Sequence, residues 1–339
     1  MDSEPVRRGT SRAQEEFYSR GFSRVVIKET VHRIVPEDLL YFGGSCFAEN
    51  LYSYWQDHYL PSVLSPFGST YNPLSLRDCF SLLTEEYVIQ NNELIQSGAL
   101  WQHSLFNSTR GRENKEDLLA ILNGELVRHR ELLKESSCLV LTLGTAYVYE
   151  DIAAEKIVNN CHKRPAADFK RTILSPDAVS RALTDLAEKV RNVNSGIKMI
   201  ISLSPVRHLR DDAAENSLSK AVLRCGIEEF LQKDDNSSYF PSYEILLDEL
   251  RDYRWYADDL AHPSQQAVRY IMERFCESTG HERLINYLED AASLKNMMTH
   301  RLRFPHSPEG RRFMEKRQNR MAAFQRKYPM AVIQESPES

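Results

Sequence analysis

The chain reads as an α/β protein: a three-layer fold with a central, mainly parallel sheet, followed by a basic helical tail. Three observations predict this. Almost wholly apolar runs at 39–42, 138–143 and 198–203 have the composition of strands buried on both faces. Helical spacings of apolar residues separate them, the alternation that marks a parallel, doubly wound sheet. Polar loops at 43–45, 67–72, 144–147 and 204–208 follow presumptive strands. In such a sheet the loops after the strands' carboxyl ends gather on one edge, where ligands bind.

Residues 1–24 are polar and charged, with little periodicity, and read as a tail. Val25-Val-Ile27 is a short strand candidate, 39–42 is the first firm strand, and 47–58 is a helix. A short strand at 62–65 and a helix at 76–83 follow. Residues 94–105, with Trp101 and His103, read as a short hairpin or an irregular insert. A long helix spans 115–134, with Leu118, Leu119, Leu122, Leu126, Leu132 and Leu133 at its apolar positions. The strand 138–143 runs into Gly144-Thr-Ala-Tyr147, and 148–160 reads as a hairpin around an acidic turn. Ser175 and Pro176 open the next helix, Ser as cap and Pro at the first helical position. Strand 198–203 and a helix over 216–232 come next, then a last strand within 239–246 with Pro241 near its start. Helices at 264–278 and 282–296 close the pattern, so one domain covers 25–285. Residues 286–339 form a helical, basic and partly disordered tail. Met314, Met321 and Phe324 line one face of it; the tail either packs loosely with a solvated charged face or offers a surface to an acidic partner.

Composition narrows the function classes. Of 339 residues 42% are hydrophobic and 27% charged, ordinary for a globular protein. A net charge of −5 makes nucleic acid an unlikely main partner. The six cysteines, at 46, 79, 138, 161, 225 and 276, form no Cys-x-x-Cys pair and fit buried thiols better than disulfides or zinc. No second pair at zinc spacing accompanies Cys161 and His162, so no metal is expected. No leader peptide is evident, and no apolar run approaches the roughly 20 residues that cross a bilayer. A cytoplasmic location is expected.

The chemistry concentrates in Tyr41-Phe-Gly-Gly-Ser-Cys-Phe-Ala-Glu49. A strand ends, a Gly-Gly turn follows, and Ser45 sits where a helix begins, beside free N–H groups and the positive end of the helix dipole. Serine is also a common N-cap, so the turn alone does not make a nucleophile. Downstream, Asp259-Leu-Ala-His262 has the spacing for a carboxylate to hold one imidazole nitrogen and leave the other free as a base. Asp258 competes, but only Asp259 keeps the three-residue spacing. Cys46 is an alternative nucleophile. Successive side chains on a helix start diverge by about 100°, so only one of the two faces the pocket, and Cys46 is expected to be the buried one.

With these residues in view the chain resembles the GSCFA family, named for the motif read here at Gly44-Ser-Cys-Phe-Ala48. That family is grouped with the SGNH (GDSL-like) esterases and acyltransferases. The likeness extends to Pro66-Phe-Gly-Ser-Thr-Tyr-Asn-Pro73, Thr142-Leu-Gly-Thr-Ala-Tyr-Val-Tyr149, Asn160-Cys-His-Lys163, Ser204-Pro-Val-Arg-His208, Tyr239-Phe-Pro-Ser-Tyr-Glu244 and the stretch from Arg251 to Ser264. It implies a flavodoxin-like (SGNH) sheet flanked by helices, a catalytic Ser45 with Asp259 and His262, and an oxyanion hole from the N–H groups of Ser45 and Gly68. The third block departs from the superfamily: Ala146 stands where an oxyanion-binding Asn is usual. Losing one such donor costs about 100- to 1000-fold in turnover. Asn72, Thr145 and His208 are candidates to replace it, although Asn before Pro73 is also a common turn residue. Lys163 and Arg207 have the chemistry to bind an anionic part of a substrate.

The expected function is therefore a serine esterase or O-acyltransferase acting on a small-molecule or carbohydrate ester, with no cofactor. The alternative is a non-catalytic binding or scaffold protein on the same fold. Phosphoryl or sulfuryl ester chemistry through Lys163 and Arg207 is a third reading.

Overall fold

The computed structural model describes residues 23–207, 211–300 and 302–333. Five parallel strands form the central sheet: β1 (Leu40–Gly44), β2 (Ser62–Leu64), β5 (Cys138–Leu143), β9 (Lys198–Leu203) and β10 (Ser237–Phe240), in the spatial order β10-β9-β5-β1-β2. Counted along the sheet this is the flavodoxin-like order, and its direction reverses between β1 and β5. Side chains alternate between faces. Tyr41, Leu139, Leu141, Met199 and Ile201 pack against α2 (Pro73–Thr84), α3 (Lys115–Glu135), α4 (Pro176–Val193) and α5 (Ala213–Leu231). Leu40, Phe42, Cys138, Val140 and Ile200 pack against α1 (Cys46–Asp57), α6 (Gln265–Thr279) and α7 (Glu282–Thr299). Because both faces are covered, the inner strands β1, β5 and β9 are mostly apolar.

Two small antiparallel sheets lie outside this frame. β3 (Leu94–Ser97) and β4 (Leu100–His103) form the expected hairpin. β6 (Tyr147–Asp151) pairs with β7 (Lys156–Val158) and also with β8 (Phe169–Ile173), a strand absent from the sequence reading. β8 is Phe-Lys-Arg-Thr-Ile, mostly exposed, so no apolar alternation announced it.

Two element boundaries differ from expectation. Residues 25–27 are extended but form no ladder. Their backbone is held by side chains instead: Val25 N–H donates to Glu249 Oε1 at 2.6 Å, and Arg274 Nη2 donates to Val25 O at 2.8 Å. Glu249 is fully buried and ion-paired to Arg274 at 3.1 Å, so this strap has a strong local competitor for its hydrogen bonds. The last strand runs over 237–240 and stops before Pro241 rather than starting near it. Proline has no N–H for the ladder, and the chain turns there into short helical segments.

The C-terminal helix α8 (Pro308–Lys327) docks through Phe324, which is buried against Tyr59, Tyr287 and Tyr328. Most of its arginines remain exposed. Among the described residues no helix is long and apolar enough to cross a membrane, and no two cysteines form a disulfide.

The turn after β1 is the tightest point of the sheet edge. Gly44 has φ +116°, and a Cβ there would lie 2.1 Å from the Thr142 carbonyl oxygen of the neighbouring strand. Backbone opposes backbone, so no rotamer change relieves the clash. Gly44→Ala is expected to destabilise the fold by at least about 2 kcal/mol in urea titration; an unchanged midpoint would contradict this account of the turn.

Candidate active site

β1 and β5 end side by side at the reversal point of the strand order, and the candidate residues gather there. Ser45 caps α1. Its Oγ accepts from Phe47 N at 3.3 Å and shares a 2.8 Å hydrogen bond with Thr142 Oγ1, while its own N–H donates to Thr142 O at 2.8 Å. With every polar group so engaged, Ser45 is 1% exposed. Its hydroxyl is therefore tied to β5, and its N–H is not free for an oxyanion.

The next residue takes the place expected of Ser45. Cys46, the first residue of the helix and half-buried, points its Sγ at His262 Nε2 across 3.6 Å. The expectation that one of the pair faces the pocket and the other the interior holds as geometry, with the two residues exchanged. The reason is the cap: an N-cap side chain turns back onto its own helix, so the first helical residue projects outward. The N–H groups of Cys46 and Phe47 at the helix start point to the Cys46 sulfur.

The Asp-His loop is built locally. Asp259 Oδ1 accepts from the N–H groups of Ala261 and His262, each at 2.9 Å, and Oδ2 meets His262 Nδ1 at 2.6 Å. Those donors hold the exposed Asp259 carboxyl down at about 2. Leu260 adopts φ +57°, an uncommon conformation that the surrounding bonds enforce. Ala257 N–H to His262 O at 2.8 Å closes the loop, and Arg207 N–H to Ala261 O at 3.1 Å anchors it to the loop after β9. The imidazole thus presents Nε2 to Cys46 with its other nitrogen fixed. Asp258 is exposed and makes no hydrogen bond to His262.

The second loop is tied to the first. Thr70 N–H donates to Gly44 O at 2.6 Å, and Ser69 Oγ to Glu49 Oε1 at 2.8 Å. Gly68 has φ +74°, and a Cβ there would meet Asn107 Cβ at 2.7 Å. Asn72 is spent as the cap of α2, its Oδ1 accepting from Ser75 N at 2.8 Å. Thr145 Oγ1 is bonded to Ser219 Oγ at 3.0 Å, and the same Ser219 Oγ accepts from Ala146 N at 2.8 Å. Asn72, which also donates from Nδ2 to Ser75 Oγ at 3.0 Å, and Thr145 are thus both engaged in local bonds. Lys163 is exposed, in the 159–168 loop. His208 lies outside the described residues. His162 is held by His103 O and Ser108 Oγ, and among the described residues no group of three or more His, Cys, Asp or Glu is gathered as around a metal.

One residue was missed. Lys220 of α5 is 2% exposed, and its Nζ donates to Ser204 O at 2.7 Å at the end of β9. It shares electrostatic contact with Cys46 and Arg207. Its signal was present: Asn216, Ser219, Lys220, Leu223, Ile227 and Phe230 form the buried stripe of one helix. A lysine on such a stripe is rare enough to flag.

Two outcomes follow. Ser45→Ala removes an N-cap and should lower stability by about 1 kcal/mol in urea titration, while leaving the Cys46 thiol accessible to alkylation. In a pH titration followed by carboxyl NMR, Asp259 should protonate near pH 2. Its carboxyl is depressed by folding, so the pairing with His262 contributes fully above the ordinary value of 3.8 and is lost as pH falls through about 2.

Among solved structures the chain is similar to an acetyl xylan esterase from the rumen bacterium Butyrivibrio proteoclasticus, with 11% identity, a TM-score of 0.36, and coverage of 80% of this chain and 66% of that one. The chain thus spans less than two thirds of that enzyme's length. No curated protein matches the chain at a significant level. The model of the GSCFA family matches residues 39–275, well over half of the chain. The chain belongs to the GSCFA family.

Proposed function

We propose that this protein is an esterase or O-acyltransferase whose nucleophile is the Cys46 thiol, with His262 as base and Asp259 as the group that orients it. The observation that carries this reading is the continuous line Cys46 Sγ, His262 Nε2, His262 Nδ1, Asp259 Oδ2, with separations of 3.6 Å and 2.6 Å. A nucleophile, a base and an orienting carboxylate in sequence are what acyl transfer needs.

The thiol proton passes to His262 Nε2 while Nδ1–H remains donated to Asp259. The sulfur attacks the acyl carbonyl, and the negative charge moves to the carbonyl oxygen. The N–H groups of Cys46 and Gly68 are the donors assigned to receive it, the first reinforced by the helix dipole. As the C–O bond breaks, His262 returns its proton to the leaving alkoxide, and a thioester remains on Cys46. Water or an acceptor hydroxyl, deprotonated by His262, then releases the acyl group. No cofactor takes part in these steps.

The substrate class proposed is a small-molecule or carbohydrate ester. The neighbouring aromatics support this reading: Tyr71 and Tyr243 are half-buried, and Trp255 and Tyr256 precede the Asp-His loop. Amphipathic rings of this kind suit a polar, hydroxyl-bearing substrate.

Burst hydrolysis of p-nitrophenyl acetate, with intact-mass detection of the acetyl adduct, tests the assignment. Cys46→Ala should abolish the burst and the adduct. Asp259→Asn should reduce turnover on the order of 1000-fold by misorienting the imidazole. Ser45→Ala should retain the adduct on Cys46. A Cys46→Ala protein that still acetylates at Ser45 would sink the thiol assignment.

A further inference from the structure

The charge of this chain is unevenly placed. Across the whole sequence acids outnumber bases, 48 to 43, yet residues 302–333 carry eight Lys or Arg against two Glu. Most of these bases stand on α8. The helix docks through its two buried residues, Gly310 and Phe324, with Met314 and Met321 half-buried on the same stripe. Every exposed residue of α8 is charged, an amide, an alanine or the opening Pro308.

The body of the protein leaves most of these cations without a counter-charge. Arg320 and Lys327 reach Asp290 at 3.9 and 2.7 Å. Arg311, Arg312, Lys316 and Arg326 are exposed and have no carboxylate within ion-pair distance among the described residues. Arg312, Lys316 and Arg320 also follow one another at four-residue steps, so like charges are neighbours on the helix, which destabilises it. A face kept only for solvation would alternate its signs.

We propose that the outward face of α8 is a docking surface for duplex DNA, held through the phosphate backbone. Charge complementarity carries the proposal: Arg311, Arg312, Lys316, Arg320, Arg326 and Lys327 present on one exposed face the sign that a polyphosphate needs. The four arginines among them are planar forks that bind phosphate oxygens bidentately. From Arg311 to Lys327 the helix runs about 24 Å. Its width of about 10–12 Å matches the roughly 12 Å major groove of B-form DNA. Ala322 and Ala323, both exposed, keep the middle of the face free of bulk, and Asn319 offers an amide there. The face has no large apolar side chain to bury in a bilayer, as a helix lying in a membrane surface requires. The chain's net charge of −5 does not forbid such binding, because exposed charges farther off than about 8–10 Å are screened at physiological salt. The inference is independent of the ester chemistry.

Fluorescence anisotropy of a labelled DNA duplex of about 20 bp, titrated with the full chain, tests it. Binding should lie between about micromolar and about 0.1 mM at physiological salt, and its logarithm should fall with log salt at a slope of about −4 to −5. Arg312→Gln, Lys316→Gln and Arg326→Gln combined should weaken binding by about tenfold or more and make the slope shallower by about two to three. Arg128→Gln, Arg181→Gln and Arg251→Gln combined change the net charge equally at exposed sites outside α8, and should leave the affinity within about twofold. Both triple variants should keep the parent's urea midpoint, since all six side chains are exposed. Absence of binding at about 50 mM salt overturns the proposal. So does an affinity that the α8 variant leaves unchanged, or that the control variant lowers as much. Tighter binding of duplex RNA also overturns it, because the narrow major groove of the A-form excludes a helix. Sedimentation with phosphatidylserine vesicles in place of DNA binding assigns the face to a membrane surface and overturns it equally.

Discussion

The site depends on how Ser45 is held to Thr142. The backbone of Gly44 lies so close to β5 that no side chain fits between them, and the hydroxyl and N–H of Ser45 both bond to the next strand. That contact sets the rotation at which α1 leaves the sheet. Once Ser45 is turned inward, the residue after it must project from the edge. A thiol is thereby placed at the mouth of the parallel sheet, beside the free N–H groups of a helix start.

Around that point the protein assembles four loops from four strand ends. The loop after β2 is bonded to Gly44 and Glu49, and the loop after β5 is bonded to Tyr71 O through the N–H groups of Gly144 and Thr145. Helix α5 joins that loop to the one after β9: Ser219 holds Thr145 and Ala146, and Lys220 holds Ser204. The Asp-His loop is fixed to the fourth through Arg207. Each loop is positioned by hydrogen bonds to another, so the spacing of Cys46 and His262 is determined by the whole edge. The buried amine of Lys220 at the centre of this network is a stability cost borne where the chemistry is, a pattern common at functional sites.

The missing oxyanion Asn has a structural counterpart. At Ala146 the backbone N–H, not a side chain, makes the local contact, and its partner is Ser219. Two of the residues proposed to replace the Asn make local bonds: Asn72 caps a helix, and Thr145 bonds Ser219.

Much of the fold was legible in the residues themselves. The apolar runs at 138–143 and 198–203 are strands with those limits, because only burial on both faces tolerates such sequences. The pair Ser175-Pro176 starts a helix for local reasons of capping. The Asp259–His262 pair was equally legible, since three residues suffice to close its hydrogen bonds. The strand β8 and the strap at 25–27 were not, because their partners lie far along the chain and their own residues carry no alternation. The choice between Ser45 and Cys46 was of the same kind. Both are small and polar, and both stand at the same helix start. Which one faces His262 depends on a bond to Thr142, nearly one hundred positions away. Local sequence sets capping and periodicity through short-range sterics and hydrogen bonds; only the packed sheet brings distant groups close enough to decide rotation and charge.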